Sequence, residues 1–220
     1  MGILLILMTI GGLIVAAILL LIARVTKKDW LKYFVFGGLT TWIFAYLFLL
    51  FCGSFFSVER TLAFDEPKEF CGFYFDCHLH AAVLDVRKTK MLGDKTASGE
   101  FYIVKVKISS DARAATLGSN SVDAEVIDAN KQTYGRDTAA EKYLGEQPPF
   151  DKKISPPESF EKEIVFDLPN DVQNPRLDIR EGNALDRAIE AVLIGDEDSI
   201  GHRRNYFKLE TSVQTANSEK

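Results

Sequence analysis

Two histidines, His78 and His80, stand two residues apart directly after a pair of cysteines, Cys71 and Cys77. On an extended strand residues i and i+2 point the same way, so both imidazoles could reach one metal ion. A third ligand would have to come from Asp76 or the distant His202. Two imidazoles alone make a weak site, and the plainer expectation is a polar strand edge near a membrane surface, with no metal and no cofactor. Cys71 and Cys77 can form a structural disulfide if the five residues between them turn back, since the two Cα atoms must come within about 7 Å; unpaired or otherwise paired thiols are the alternative. Cys52 is the odd one out and has no base in sequence reach, so it reads as a buried apolar residue rather than a nucleophile. The run Gly195 to Ser199 places Asp196, Glu197 and Asp198 in a row. Consecutive acids on a turn point in different directions, unlike the alternate ligands of a calcium loop. A hairpin turn is expected there, its carboxylates accepting backbone hydrogen bonds or pairing with His202, Arg203 and Arg204.

No Gly-x-Ser-x-Gly elbow, His-Glu-x-x-His pair or phosphate-cradling glycine loop occurs, so no catalytic residues are assigned and no enzyme is expected. The elements that would carry any chemistry fall into two unlike parts. Of 220 residues, 47% are apolar and 26% charged, with a net charge of −5. Residues 1–58 carry four cations and one acid, net +3, leaving −8 for the remainder. An acidic main body disfavours nucleic acid as a partner.

Ile3 to Ala23 runs 21 residues without a charge and Phe34 to Gly53 another 20. Each is enough to cross about 30 Å of hydrocarbon as a helix. A signal peptide is the alternative for the first, but it lacks a basic leading region and exceeds the usual apolar length. Arg24, Lys27, Lys28 and Lys32 make the 24–33 connector cytoplasmic by the positive-inside rule, which puts the N-terminus and the C-terminal domain on the periplasmic or extracellular side of a bacterial inner membrane. Small residues recur four apart, Gly12 and Ala16 on the first span, Gly37, Thr41 and Ala45 on the second. Such stripes let helix backbones approach closely in lipid, although ordinary membrane helices carry Gly and Ala too. No ionisable residue lies inside either span, which argues against a proton or ion pathway. Trp30, Tyr33, Trp42 and Tyr46 include candidate interfacial anchors, although Trp42 and Tyr46 fall deep enough to face a partner instead.

Beyond a connector over 57–77, the period changes to that of strands. Tyr102, Val104, Val106 and Ile108 alternate with Lys105 and Lys107. Further strands are expected at His78–Lys88, Ser121–Ile127 (Val122, Ala124 and Val126 inward), Ser159–Leu168, Arg176–Arg180 (Leu177 and Ile179 inward), Ile189–Ile194 and Asn205–Glu210, separated by turn residues. Seven short strands without βαβ alternation predict an immunoglobulin-like antiparallel β-sandwich over 78–210, with a flexible tail over 211–220. Between Gly135 and Glu158 a long connection reads as a crossover, or else a binding loop, with a short helix over Thr138–Leu144 started by a Thr138/Glu141 capping box. The aromatics from Phe55 to Phe75 could lie among headgroups, pack under the sandwich or receive a partner protein.

The strand order, the segment SPPESFEKEIVFDLP from Ser155 to Pro169 and the ending AVLIGDEDSIGHRRNYFKL from Ala191 to Leu209 resemble a bacterial immunoglobulin-like domain family of unknown function. That family is similar in fold to immunoprotective-antigen and telokin-like sandwiches. The resemblance covers about residues 78–210. It implies an envelope domain held by an N-terminal anchor, and transfers no catalytic residues. Together these readings predict a two-span hairpin over 1–56 displaying a non-enzymatic interaction module, an accessory or scaffolding subunit. Its partners would be the lipid bilayer and other integral membrane proteins, met through the hairpin and the membrane-proximal aromatics. A ligand- or metal-binding envelope sensor is the rival.

Overall fold

A computed structural model describes residues 2–70, 78–119 and 121–209. The chain divides into two compact units: Met1–Val58 with Arg187–Arg204, and Glu59–Asp186 with the C-terminal residues from Asn205.

The first unit is built on helices α1 (Gly2–Val25) and α2 (Asp29–Phe55), both long and apolar enough to cross a membrane. Helix runs further into the charged stretch than the 24–33 connector suggests, leaving only Thr26–Lys28 between the two. α1 ends because Lys27 turns left-handed (φ 53°) and the Lys28 N–H reaches back to the Ala23 carbonyl at 3.1 Å, a Schellman-type closure. The Trp42 indole N–H donates to the Thr9 hydroxyl at 3.0 Å and sets the stagger of the two helices.

The second unit is a β-sandwich. One sheet has the order β1 (Arg60–Leu62), β9 (Asn205–Lys208), β8 (Arg176–Glu181), β5 (Val122–Ile127), β6 (Thr133–Gly135). The other has the order β2 (Lys68–Phe70), β3 (Leu79–Leu92), β4 (Lys95–Ser110), β7 (Ser159–Leu168). All pairings are antiparallel except β1 with β9, where Arg60 lies opposite Asn205. The predicted alternation of β4 holds: Tyr102, Val104, Val106 and Ile108 are buried in the main core with Val126, Ile164, Phe166, Leu177, Ile179 and Phe207. Burying one such large side chain contributes about 1.5–3 kcal/mol.

Three sequence expectations are corrected. The 57–77 segment supplies β1 and β2, one edge strand to each sheet, and β6 was also missed; all three are three residues long, too short for a period to show. The expected strand at Ile189–Ile194 is instead the end of helix α4 (Ala184–Glu190) followed by turns. Its start is a reciprocal cap: the Asn183 side chain accepts from the Leu185 and Asp186 N–H groups at 2.8 and 3.2 Å, while Asp186 accepts from the Asn183 N–H at 3.0 Å. The short helix α3 (Thr138–Glu141), continued as a 3₁₀ turn over Lys142–Leu144, sits where predicted but is capped by Asp137, not Thr138. Asp137 accepts from the Ala140 N–H at 2.9 Å and holds the Lys95 ammonium at 2.6 Å. Burial works the other way, but these donors keep its carboxyl below the ordinary aspartate range. Glu141 pairs with Arg136 at 2.6 Å instead of boxing the cap. α3 and its crossover cover the outer side of β4 and β7, burying Ala140 against Phe101, Ile103 and Val165.

Candidate functional site

The two small-residue stripes do not meet. α2 faces α1 with Val35, Leu39, Trp42 and Leu50, spaced at helical repeats, and α1 contributes buried Ala16 and Ala23. Gly12 leaves space rather than contact, so that an apolar groove of about 450 Å³ runs between the helices past Gly12, Ala16, Gly38 and Trp42. At 100° per residue, Gly37, Thr41 and Ala45 lie about 140° around α2 from that seam. They are exposed, and the Thr41 hydroxyl satisfies itself on the Gly37 carbonyl at 2.9 Å. Trp42, which the sequence places deep enough to face a partner, occupies the seam with its indole N–H on Thr9.

Arg187–Arg204 forms a collar on the ends of the hairpin, and sequence reasoning missed it. The Tyr46 hydroxyl donates to the Val192 carbonyl at 2.7 Å, the Ser54 hydroxyl to the Ile200 carbonyl at 2.7 Å, and the Arg203 N–H to the Ser57 hydroxyl oxygen at 2.8 Å. Gly2 packs so tightly that a Cβ there would lie 2.6 Å from the Ile194 carbonyl oxygen. Inside the collar the Ile200 N–H bonds the Ala191 carbonyl at 2.9 Å, and the Ser199 hydroxyl donates to the Leu193 carbonyl. The acidic run is a turn, as the sequence suggests: Asp196 accepts from the Asp198 N–H at 2.9 Å and Asp198 pairs with Arg204 at 2.9 Å. Burial, with the neighbouring Asp198 and Glu197 charges, pushes the Asp196 carboxyl up to about 6. The available signal was Asn183-x-x-Asp186, a capping pair ahead of the apolar run.

His78 and His80 do converge, on Asp111 rather than on Asp76 or His202. The β3–β4 register sets this: Leu79 lies opposite Ser110, and the Asp111 N–H bonds the His78 carbonyl at 3.1 Å. Asp111 Oδ1 is 2.7 Å from His78 Nδ1 and 3.3 Å from His80 Nε2. The hydrogen bond from His78, then that from His80, holds the Asp111 carboxyl below its usual range. Asp76 lies outside the described residues and His202 belongs to the other unit. Among the described residues no group of three or more His, Cys, Asp or Glu is arranged to hold a metal ion. Asp111 is 33 residues from His78, and nothing in the spacing announced it.

Cys71 and Cys77, like Phe73, Tyr74 and Phe75, lie outside the described residues. Cys52 is a free thiol, half-buried on α2. The remaining aromatics divide: Phe70 is buried in the sandwich core with Phe64 packed against it, whereas Phe55 and Phe56 stack edge to face on the surface of the first unit. Lys68, inside the expected connector, is buried in the sandwich, its ammonium 2.9 Å from the Ile179 carbonyl and 3.4 Å from Asp178. Arg180 lies 3.3 Å from the other Asp178 oxygen.

The fold and the hairpin define a class: a β-sandwich behind two helices of membrane-crossing length. Residues 76–189 match the model of DUF4352, a domain of unknown function, and the chain belongs to that family. No curated protein matches the chain. Solved structures similar to it include the YjhA protein of Bacillus subtilis, at 14% identity over 67% of this chain and 98% of that one, with a TM-score of 0.42. The secreted protein MPT63 of Mycobacterium tuberculosis is similar at 13% identity over 58% and 98%, TM-score 0.41. An uncharacterized β-sandwich protein of Clostridium difficile 630 is similar at 10% identity over 70% and 96%, TM-score 0.39.

Proposed function

We propose that this protein is a non-enzymatic interaction module: a two-span hairpin in a bacterial inner membrane, displaying an extracytoplasmic, immunoglobulin-like sandwich as an accessory or scaffolding subunit of a membrane complex. The carrying observation is that α2 turns Gly37, Thr41 and Ala45 away from α1, although small residues are what membrane helices use for close approach. A tether needs only apolar length. A subunit needs a specific face. The cations at 24–33 orient the reading, with the connector cytoplasmic and the sandwich outside. Gly37→Leu will lower co-purification with membrane partners after mild detergent extraction, while insertion and sandwich stability stay unchanged. Unaltered recovery of the same partners, also from a single-anchor chimera, would show that the spans are only an anchor.

The rival reading, a ligand- or metal-binding envelope sensor, would draw on His78 and His80, whose imidazoles here contact Asp111 directly. Metal analysis of the purified chain separates the two: below about 0.1 ion per chain the sensor loses its main support.

A further inference from the structure

We propose that the Arg187–Arg204 collar is itself a lipid-contacting element, seated at the outer boundary of the hydrocarbon and packed against outer-leaflet phospholipid. This rests on the membrane-spanning reading of the hairpin and adds a third membrane contact that is not a span.

Depth comes first. The charge-free run Ile3–Ala23 covers about 31 Å at 1.5 Å per residue, one hydrocarbon thickness, so Gly2 marks the outer boundary. Counting along the antiparallel helices from the Thr9–Trp42 bond, Gly2 is level with the Leu49–Leu50 turn of α2. The collar meets α1 at that level, with the Ile194 backbone against Gly2, and its Val192 carbonyl meets Tyr46 about one turn deeper. From there it climbs to Ser54 and Ser57 at Ile200 and Arg203.

Backbone chemistry fits that depth. Non-helical backbone near hydrocarbon must have its polar groups satisfied within the protein. The collar's turns bond one another, through the Val192 N–H on Ile189, Leu193 on Glu190, Asp196 on Leu193, Ser199 on Asp196, Ile200 on Ala191 and His202 on Ser199. The carbonyls of Val192 and Ile200 take hydroxyl donors from α2 itself.

The surface it leaves is apolar where lipid would lie. Val192 and Ile200 are 37% and 54% exposed, and the adjoining end of α2 exposes Phe51, Phe55 and Phe56. Between Gly201 and these rings lies an open apolar hollow of about 490 Å³, the kind of surface an acyl chain fills. Arg203 follows at the level of Ser57, where a cation meets headgroup phosphates.

The test uses the full chain in vesicles of phosphatidylcholine, either plain or brominated on the acyl chains. With Trp30→Phe, the remaining Trp42 reports on the span itself. With Trp30→Phe and Trp42→Phe, a single Trp is placed at Ile200 or at Val192, two exposed sites, and retention of native helix and strand content is checked by circular dichroism. Brominated lipid should reduce Trp emission about twofold or more at Trp42 and at both collar sites, as expected for side chains 5–10 Å into the interface. Quenching of Trp42 with none in the Ile200→Trp and Val192→Trp proteins would overturn the collar proposal and leave the spans standing. Absence of quenching at Trp42 would overturn the spanning reading and the collar with it.

Discussion

The hairpin and the sandwich use apolar side chains in opposite ways. In the sandwich Phe101, Phe166 and Phe207 are sealed from solvent, whereas on the helices Phe34, Phe44, Phe48 and Phe55 stand outward. The sandwich core leaves little exposed; the hairpin seam buries a few residues and keeps a groove beside Gly12. Water drives the first arrangement. On the membrane-spanning reading proposed above, a solvent as apolar as the side chains themselves removes that drive and leaves the two helices held by packing and a few polar bonds such as Trp42 to Thr9.

Equal truncations should therefore have unequal costs. Leu177→Ala empties a fully buried site and is expected to destabilise the sandwich by about 4 kcal/mol. Leu39→Ala beside the existing groove should cost the hairpin under about 1 kcal/mol, since the lining there already lacks partners. Denaturant melts of the sandwich and detergent titration of helix pairing measure the two. Costs of similar size would break the contrast.

The sandwich also carries a polar exception in its core. Lys68→Ala leaves Asp178 buried without the ammonium beside it and should cost about 3 kcal/mol, read as a shift in the denaturation midpoint. A neutral outcome would mean that Arg180, 3.3 Å from Asp178, suffices.

The effect in the collar depends on pH. Asp196 titrates near 6 in the fold, above its ordinary range, so the ionised form is disfavoured and stability falls as pH rises toward 6, then stays level. Asp196→Asn removes that penalty and keeps the acceptor for the Asp198 N–H. The variant should be more stable than the parent above pH 6 by about 1–2 kcal/mol after solvent screening, with the difference gone below about pH 4. A constant difference across that range would assign the effect to packing.

Legibility in the sequence followed the length of each signal. Ile3–Ala23 and the alternation of β4 announced themselves because hydropathy or period persisted over many residues. β1, β2 and β6 could not, and the Asp111 contact depends on a register between distant strands. The collar was misread because Ile189–Ile194, apolar but for Glu190, is short enough to pass for a strand, while its helix start is written in Asn183 and Asp186, polar residues that resemble a turn. Of the residues named for helix packing, Ala16 lies in the seam, while Gly37, Thr41 and Ala45 are exposed on another face of α2, an orientation that a spacing of four does not specify.

The discontinuity of the first unit has a consequence for synthesis. The hairpin leaves the ribosome before the sandwich, and the segment that completes it is about 130 residues downstream of Val58. An open chain of that length makes closure entropically unfavourable, and the cost grows only slowly with each further residue. The intervening strands shorten the effective loop once they pair, so sandwich formation should precede collar docking. The helical unit is thus begun before the sandwich and finished after it, and until then Tyr46 and Ser54 hold their hydroxyls toward an empty seat.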